Sequence, residues 1–271
     1  MLNILFDKIT YLRMKTKTIA CASLKGGIGK TTTVASLGTI LSRQGFRVLL
    51  VDLDAQANLT TSLTDEKPAE TIYEAMTGKT DHLPVIRLSD TLNLVPSNLS
   101  LAMVDVELSN AIAREKVLAE LFEQDKVTDK YDFIFLDCPP SLGLVTLNAF
   151  TASTDVIIPL VPEVLPFNGL SMINQVVSMV RKRLNPEAHV SGIIITRWEN
   201  SKLYREIESR LSSKLGDIVY KSRIRKNIRI AEAPLKHKSI VDYDPQSNGA
   251  KDYQTLAEEF KTKMGVTRVE Q

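Results

Sequence analysis

The sequence predicts a single α/β domain built on a mainly parallel, twisted sheet with helices on both faces. Three observations carry that expectation. Apolar, β-branched runs of strand length alternate with stretches of helical periodicity along most of the chain. The 271 residues are 44% hydrophobic, enough to bury one large core. A glycine-rich segment, "ASLKGGIGKTTT" at 22–33, sits between the first apolar run and the first amphipathic one, as a strand-to-helix loop does.

Each element follows in order. The run "KTIACASL" at 17–24 reads as the first strand, and a helix from about Thr31 to Gln44 stops at Gly45. "RVLLVDLD" at 47–54 is the second strand. Residues 60–91, polar and broken by Pro68, Gly78 and Pro84, read as a surface excursion. Further strands are expected at 92–96, 131–137, 155–161 and 190–196, and helices at 101–124, 168–184 and 250–263. The domain is placed at 16–264. An extension at 1–15, where Met14 offers an alternative start, precedes it, and a polar tail at 265–271 follows.

Composition excludes several classes. No apolar run approaches the roughly 20 residues of a membrane span, and the first residues carry Asp7 without a small-residue cleavage site, so no signal peptide is expected. Cys21 and Cys138 lie far apart in or beside apolar strands, which fits a reducing cytoplasm better than a disulfide or metal motif. His82, His189 and His237 are scattered without metal-ligand spacing. The net charge is +2, yet residues 221–238 hold seven Lys or Arg against one Glu, a local +6 that leaves −4 on the rest. That asymmetry points to a localised anionic partner.

The glycine-rich loop has the composition of a phosphate cradle. Gly26, Gly27 and Gly29 let backbone N–H groups approach phosphate oxygens at a helix N-terminus, with Ile28 between them. Lys30 supplies a charge to the β- and γ-phosphates, and the Thr31 hydroxyl, followed by Thr32, can ligate Mg²⁺. Asp137 ends a strand where a carboxylate holds Mg²⁺ through water, and Asp52 and Asp54 end another, expected on one face. In the basic segment Ile224 and Ile228 are expected to pack inward, so that Arg225, Lys226 and Arg229 form one charged strip suited to duplex phosphates. Arg181, Lys182 and Arg183 are a weaker candidate, because they can simply end a helix.

Four segments, "KGGIGKTTT", "VDLDAQAN", "FLDCPPSLG" and "IRKNIRIAEAPLKHKSIVDYDPQSNGAKDYQTLAEEF", occur in the order seen in a known family. Over residues 16–262 the chain resembles the deviant Walker A ATPases of the ParA/Soj type, the DNA-partition branch of the family that includes MinD. The resemblance implies a P-loop NTPase fold, ATP and Mg²⁺ as cofactors, and an ATP-sandwich homodimer in which Lys25 reaches the partner's phosphates while Lys30 serves its own. It further implies that Asp54 orients the attacking water, Asp137 belongs to the Mg²⁺ shell, Asp52 supports the metal or the loop, and Pro234 frames the base. DNA contacts fall first on Arg225, then Arg229, with Lys226 and Arg223 beside them. Hydrolysis is implied to be slow until a ParB-like, centromere-bound partner stimulates it, on nucleoid DNA in the cytoplasm. The chain departs from the common "DLDPQGN" at Ala55 and Ala57. A MinD-like membrane role is disfavoured by the polar end "FKTKMGVTRVEQ", and positioning of a protein cargo stands as an alternative.

Overall fold

The computed structural model describes residues 15–163 and 166–266. The extension, Met14 included, and the tail therefore lie outside the described residues, apart from Lys15, Gly265 and Val266.

Among those residues eight strands form one sheet in the order β3-β4-β2-β5-β1-β6-β7-β8. They are β1 (Lys17–Cys21), β2 (Val48–Asp52), β3 (Ile86–Arg87), β4 (Leu92–Val95), β5 (Phe133–Asp137), β6 (Asp155–Leu160), β7 (His189–Trp198) and β8 (Val219–Arg225). All neighbours are parallel except the β3–β4 pair. Strand side chains alternate between two cores, because successive residues point to opposite faces. Ile19, Leu50, Phe133 and Phe135 pack under the helices Lys30–Arg43 and Asn248–Lys263, where Phe260 lies 5.7 Å from Phe135 ring to ring. Ala20, Leu49, Ile134 and Leu136 face the helices Val117–Gln124, Leu144–Ala152 and Pro166–Arg183. Burial on both faces explains why the central strands read as continuous apolar runs. Every P-loop and acidic candidate then falls at the carboxyl ends of β1, β2 and β5, the edge where open α/β sheets bind ligands.

Several expectations are corrected. Residues 60–91 are not merely a surface excursion: the helix Ile72–Met76 buries Ile72, Tyr73, Ala75 and Met76, and a Thr71/Glu74 capping box starts it. The helix expected over 101–124 is interrupted. A 3₁₀ turn at Leu99–Met103 and a short helix at Val104–Glu107 are separated from Val117–Gln124 by an irregular stretch, in which Ala113 adopts φ 53°. The helix Lys202–Leu215 and strand β8 were not anticipated. Ile224 is buried as expected, but Ile228 is 70% exposed because it opens a new helix, Ile228–Glu232, rather than continuing the strand.

Candidate nucleotide-binding site

β1 ends at Cys21, and the helix Lys30–Arg43 begins where the glycines end. Gly27 (φ 70°) and Gly29 (φ 96°) adopt left-handed backbone that other residues resist, and Gly29 is the helix N-cap. Their turn aims backbone N–H groups and the helix dipole at one point. The loop is propped from behind. Thr196, at the end of β7, donates to the Ile28 carbonyl at 2.6 Å, and the Thr33 hydroxyl lies 3.2 Å from that of Tyr253. Lys30 is buried and curls back to donate to the Lys25 carbonyl at 3.4 Å.

The strand alternation expected to align Asp52 with Asp54 stops short of Asp54. β2 stops at Asp52, which is fully buried, while Asp54 lies in the following turn, half-buried, where its Oδ1 accepts the Gln56 N–H at 3.0 Å. Asp52 Oδ2 accepts the backbone N–H and hydroxyl of Thr60 at 2.8 and 2.7 Å, and its Oδ1 accepts the Asp54 N–H at 3.2 Å. Both oxygens thus accept hydrogen bonds from the segment that follows the strand. Burial is the main cause that pushes its pKa up, to about 6. Ala57, where the family pattern has glycine, caps the helix Asn58–Leu63 at φ 53°. A left-handed alanine costs roughly 1 kcal/mol relative to glycine.

Asp137 is buried beside Asp52, its register partner on the neighbouring strand. Its Oδ2 accepts the Thr31 hydroxyl at 2.7 Å, and its Oδ1 has no partner among the described residues. Burial, then the Asp52 charge, raises its pKa well above the ordinary carboxylate range. A buried carboxylate oxygen without a partner, next to a threonine hydroxyl, offers oxygens of the kind that a divalent cation or its bound water takes. Among the described residues no cluster of three or more His, Cys, Asp or Glu could hold a metal. A Mg²⁺ here would therefore draw its remaining ligands from phosphate and water.

A cavity of about 810 Å³ joins these parts, with Gly26, Gly27, Gly29, Lys30, Thr31, Thr32 and Asp54 on one side and Pro234 on the other. That volume suits a nucleotide. Lys25 stands apart: its ammonium pairs with Glu163 of the same chain. The basic residues do not form one free strip. Arg225 makes a bidentate pair with Asp252 (2.6 Å), Lys226 pairs with Glu199 (2.9 Å), Arg229 with Glu232 (2.8 Å), and Arg223 with Glu208 (2.5 Å) while stacking on Trp198. Arg225 and Lys226 also line the nucleotide cavity. Arg181, Lys182 and Arg183 form the exposed last turn of a helix. Cys21 and Cys138 are buried in opposite cores. Thr196, Arg197 and Tyr253 belong to the cavity but were not anticipated; the first two lie at a strand carboxyl end, where such residues collect, and Tyr253 reaches in from the helix Asn248–Lys263.

The AAA-domain family matches residues 16–190. The sporulation initiation inhibitor protein Soj of Bacillus subtilis is 39% identical over 248 residues, 90% of this chain and 97% of Soj. The chain belongs to the Soj/ParA family of ATPases. Another Soj/ParA relative, the chromosome-partitioning ATPase Soj of Treponema pallidum, is 36% identical over 92% of this chain and 98% of its own. A solved Mycobacterium smegmatis structure, named cobyrinic acid a,c-diamide synthase and containing ADP and magnesium, superposes with a TM-score of 0.79 at 32% identity, covering 92% of this chain and 96% of that one. The ParA-type fold expected from the motifs is the fold observed. Among the described residues no helix is long and apolar enough to cross a membrane.

Proposed function

We propose that this chain is a partition ATPase in which ATP drives two copies face to face, the pair binds duplex DNA without sequence preference, and a ParB-like partner stimulates hydrolysis and release. The cargo would be a plasmid, mobile element or chromosome on the nucleoid. One observation carries the reading: the glycine loop, Lys30, Thr31 and Asp54 line a single cavity, with the buried Asp137 behind it bonded to Thr31, in a chain 39% identical to Soj.

Roles follow from placement. Lys30 neutralises the β- and γ-phosphates while the loop N–H groups bind their oxygens. Asp54, held by the Gln56 N–H at the cavity wall, orients and deprotonates the attacking water. Thr31 and, through water, Asp137 would hold Mg²⁺, which supplies charge compensation for the transferred phosphoryl group when bound. Pro234 packs against the base. Lys25, exposed at the loop edge, is free to exchange Glu163 for a partner's phosphate. Exposed apolar side chains add support for pairing: Leu99, Met103 and Val106 lie on a short helical stretch whose Asp105 approaches Gly143, in the loop after Asp137.

The test separates binding from chemistry. Lys30→Ala is expected to abolish ATP binding, whereas Asp54→Ala retains ATP, hydrolyses it at least about a hundredfold more slowly, and accumulates the paired state. Hydrolysis by Asp54→Ala at the wild-type rate would refute its role as the water-orienting group.

A further inference from the structure

Strand β7 does not run straight into its loop. Its register against β8 shifts between Ile195 and Trp198, and within that irregularity Arg197 adopts φ 50°, a left-handed conformation that arginine rarely takes. Both neighbours are fixed: Thr196 is buried and tied to the Ile28 carbonyl, and the Trp198 carbonyl accepts the Lys226 N–H at 3.2 Å. A bulge of this kind re-aims a side chain, and strained residues persist where their surroundings over-determine them. Here the guanidinium is turned onto the glycine loop, where Nη1 donates to the Gly27 carbonyl at 3.3 Å. Thr196 and Arg197 thus clamp two consecutive carbonyls of the loop from one strand end.

Charge bookkeeping in the cavity singles out the same residue. Four cations line it: Lys30, Arg197, Arg225 and Lys226. Asp252 and Glu199 neutralise the last two. Among the described residues Arg197, like Lys30, has no ion-pair carboxylate, and one bond to Gly27 leaves most of its five N–H donors unused. An uncompensated guanidinium held in strained backbone beside an anion-binding loop has an evident ligand class.

Resting on the nucleotide-site reading above, we propose that Arg197 binds the polyphosphate of the chain's own nucleotide as a second cation beside Lys30. It does so in cis, because its anchor is the Gly27 carbonyl of the same chain. Planar, forked N–H donors suit phosphate oxygens, and the charge is already in position before the nucleotide arrives.

The test compares ATP and AMP affinities of wild type, Arg197→Gln and Arg197→Lys at two salt concentrations, on protein held as a single chain by dilution. Arg197→Gln is expected to weaken ATP by about tenfold or more, to leave AMP within about threefold, and to flatten the salt dependence of ATP binding. Arg197→Lys keeps the charge and should recover part of the loss. An Arg197→Gln protein that binds ATP as wild type does, or loses ATP and AMP equally as a collapsed loop would, overturns the proposal alone. A wild type that binds no ATP overturns the nucleotide-site reading together with it.

Discussion

Asp137 lies in the interior between the Thr31 hydroxyl and the carboxylate of Asp52, and its protonation is tied to folding. A carboxyl whose folded pKa is raised is better accommodated as the acid. The penalty is absent well below the ordinary value of 3.8, grows as pH climbs through that value, and is complete above the raised one; for Asp52 that window closes near 6. In the absence of Mg²⁺ both residues therefore cost stability at neutral pH. Asp137→Asn removes its share of this cost, because burial and the Asp52 charge both oppose its ionised form. The variant is expected to melt above wild type at pH 8 without nucleotide, by about 2–4 °C per kcal/mol, with the advantage shrinking as pH falls toward 5. It should also lose the additional stabilisation that Mg²⁺ gives over ATP alone. Melting curves across that range, with and without Mg²⁺ and ATP, check both halves. A variant less stable than wild type at pH 8 would mean that Thr31 depends on the charge.

At the scale of elements, what was legible depended on whether neighbours in sequence were neighbours in space. The central strands were plain because burial on both faces leaves an unbroken apolar run. β8 was hidden by its own charges. Lys221, Arg223 and Arg225 point out while Tyr220, Ser222 and Ile224 point in, an edge-strand alternation that reads equally well as a basic tract. The glycine loop, Asp54 and Asp137 are candidates legible in the sequence because each sits in a local strand-end motif, whereas Thr196 meets Ile28 across 168 residues and nothing nearby marks it. The structure also changes which basic residue should be probed. Arg225 is locked by Asp252, which accepts its backbone N–H as well as its side chain, so Arg225→Glu would disturb the strand edge itself. Among the described residues the Lys226 ammonium pairs only with the exposed Glu199. If this face meets duplex phosphates, Lys226→Glu should weaken ATP-dependent DNA binding and lower the salt slope by about one per chain, and Glu199→Gln should strengthen binding. DNA titrations at several salt concentrations measure both. An unchanged slope in Lys226→Glu would move the DNA face elsewhere.

For the whole molecule, the proposed pairing requires one contact to break. In the single chain the Lys25 ammonium rests on Glu163. A lysine that serves a partner's triphosphate has to leave that carboxylate, and an exposed pair of this kind is worth at most about 1 kcal/mol. The attraction of a triphosphate far exceeds it, so Glu163 sets a threshold rather than a block. On the function proposed above, pairing in turn governs DNA binding. One chain offers few phosphate contacts, each already shared with a carboxylate, and affinity for duplex scales with the number of phosphates neutralised. Two chains on one body let the second basic face engage at high effective concentration without any new contact. Glu163→Gln is therefore expected to shift ATP-dependent pairing to lower protein concentration, by up to about fivefold per site, and to carry DNA binding with it. Lys25→Gln should lose pairing and DNA binding together while the single chain still binds ATP through Lys30. Sizing of each variant with and without ATP, beside a DNA titration on the same samples, reads the coupling directly. Tight DNA binding by an ATP-free single chain, or a Lys25→Gln protein that still pairs, would break the proposed link between the loop lysine and DNA binding.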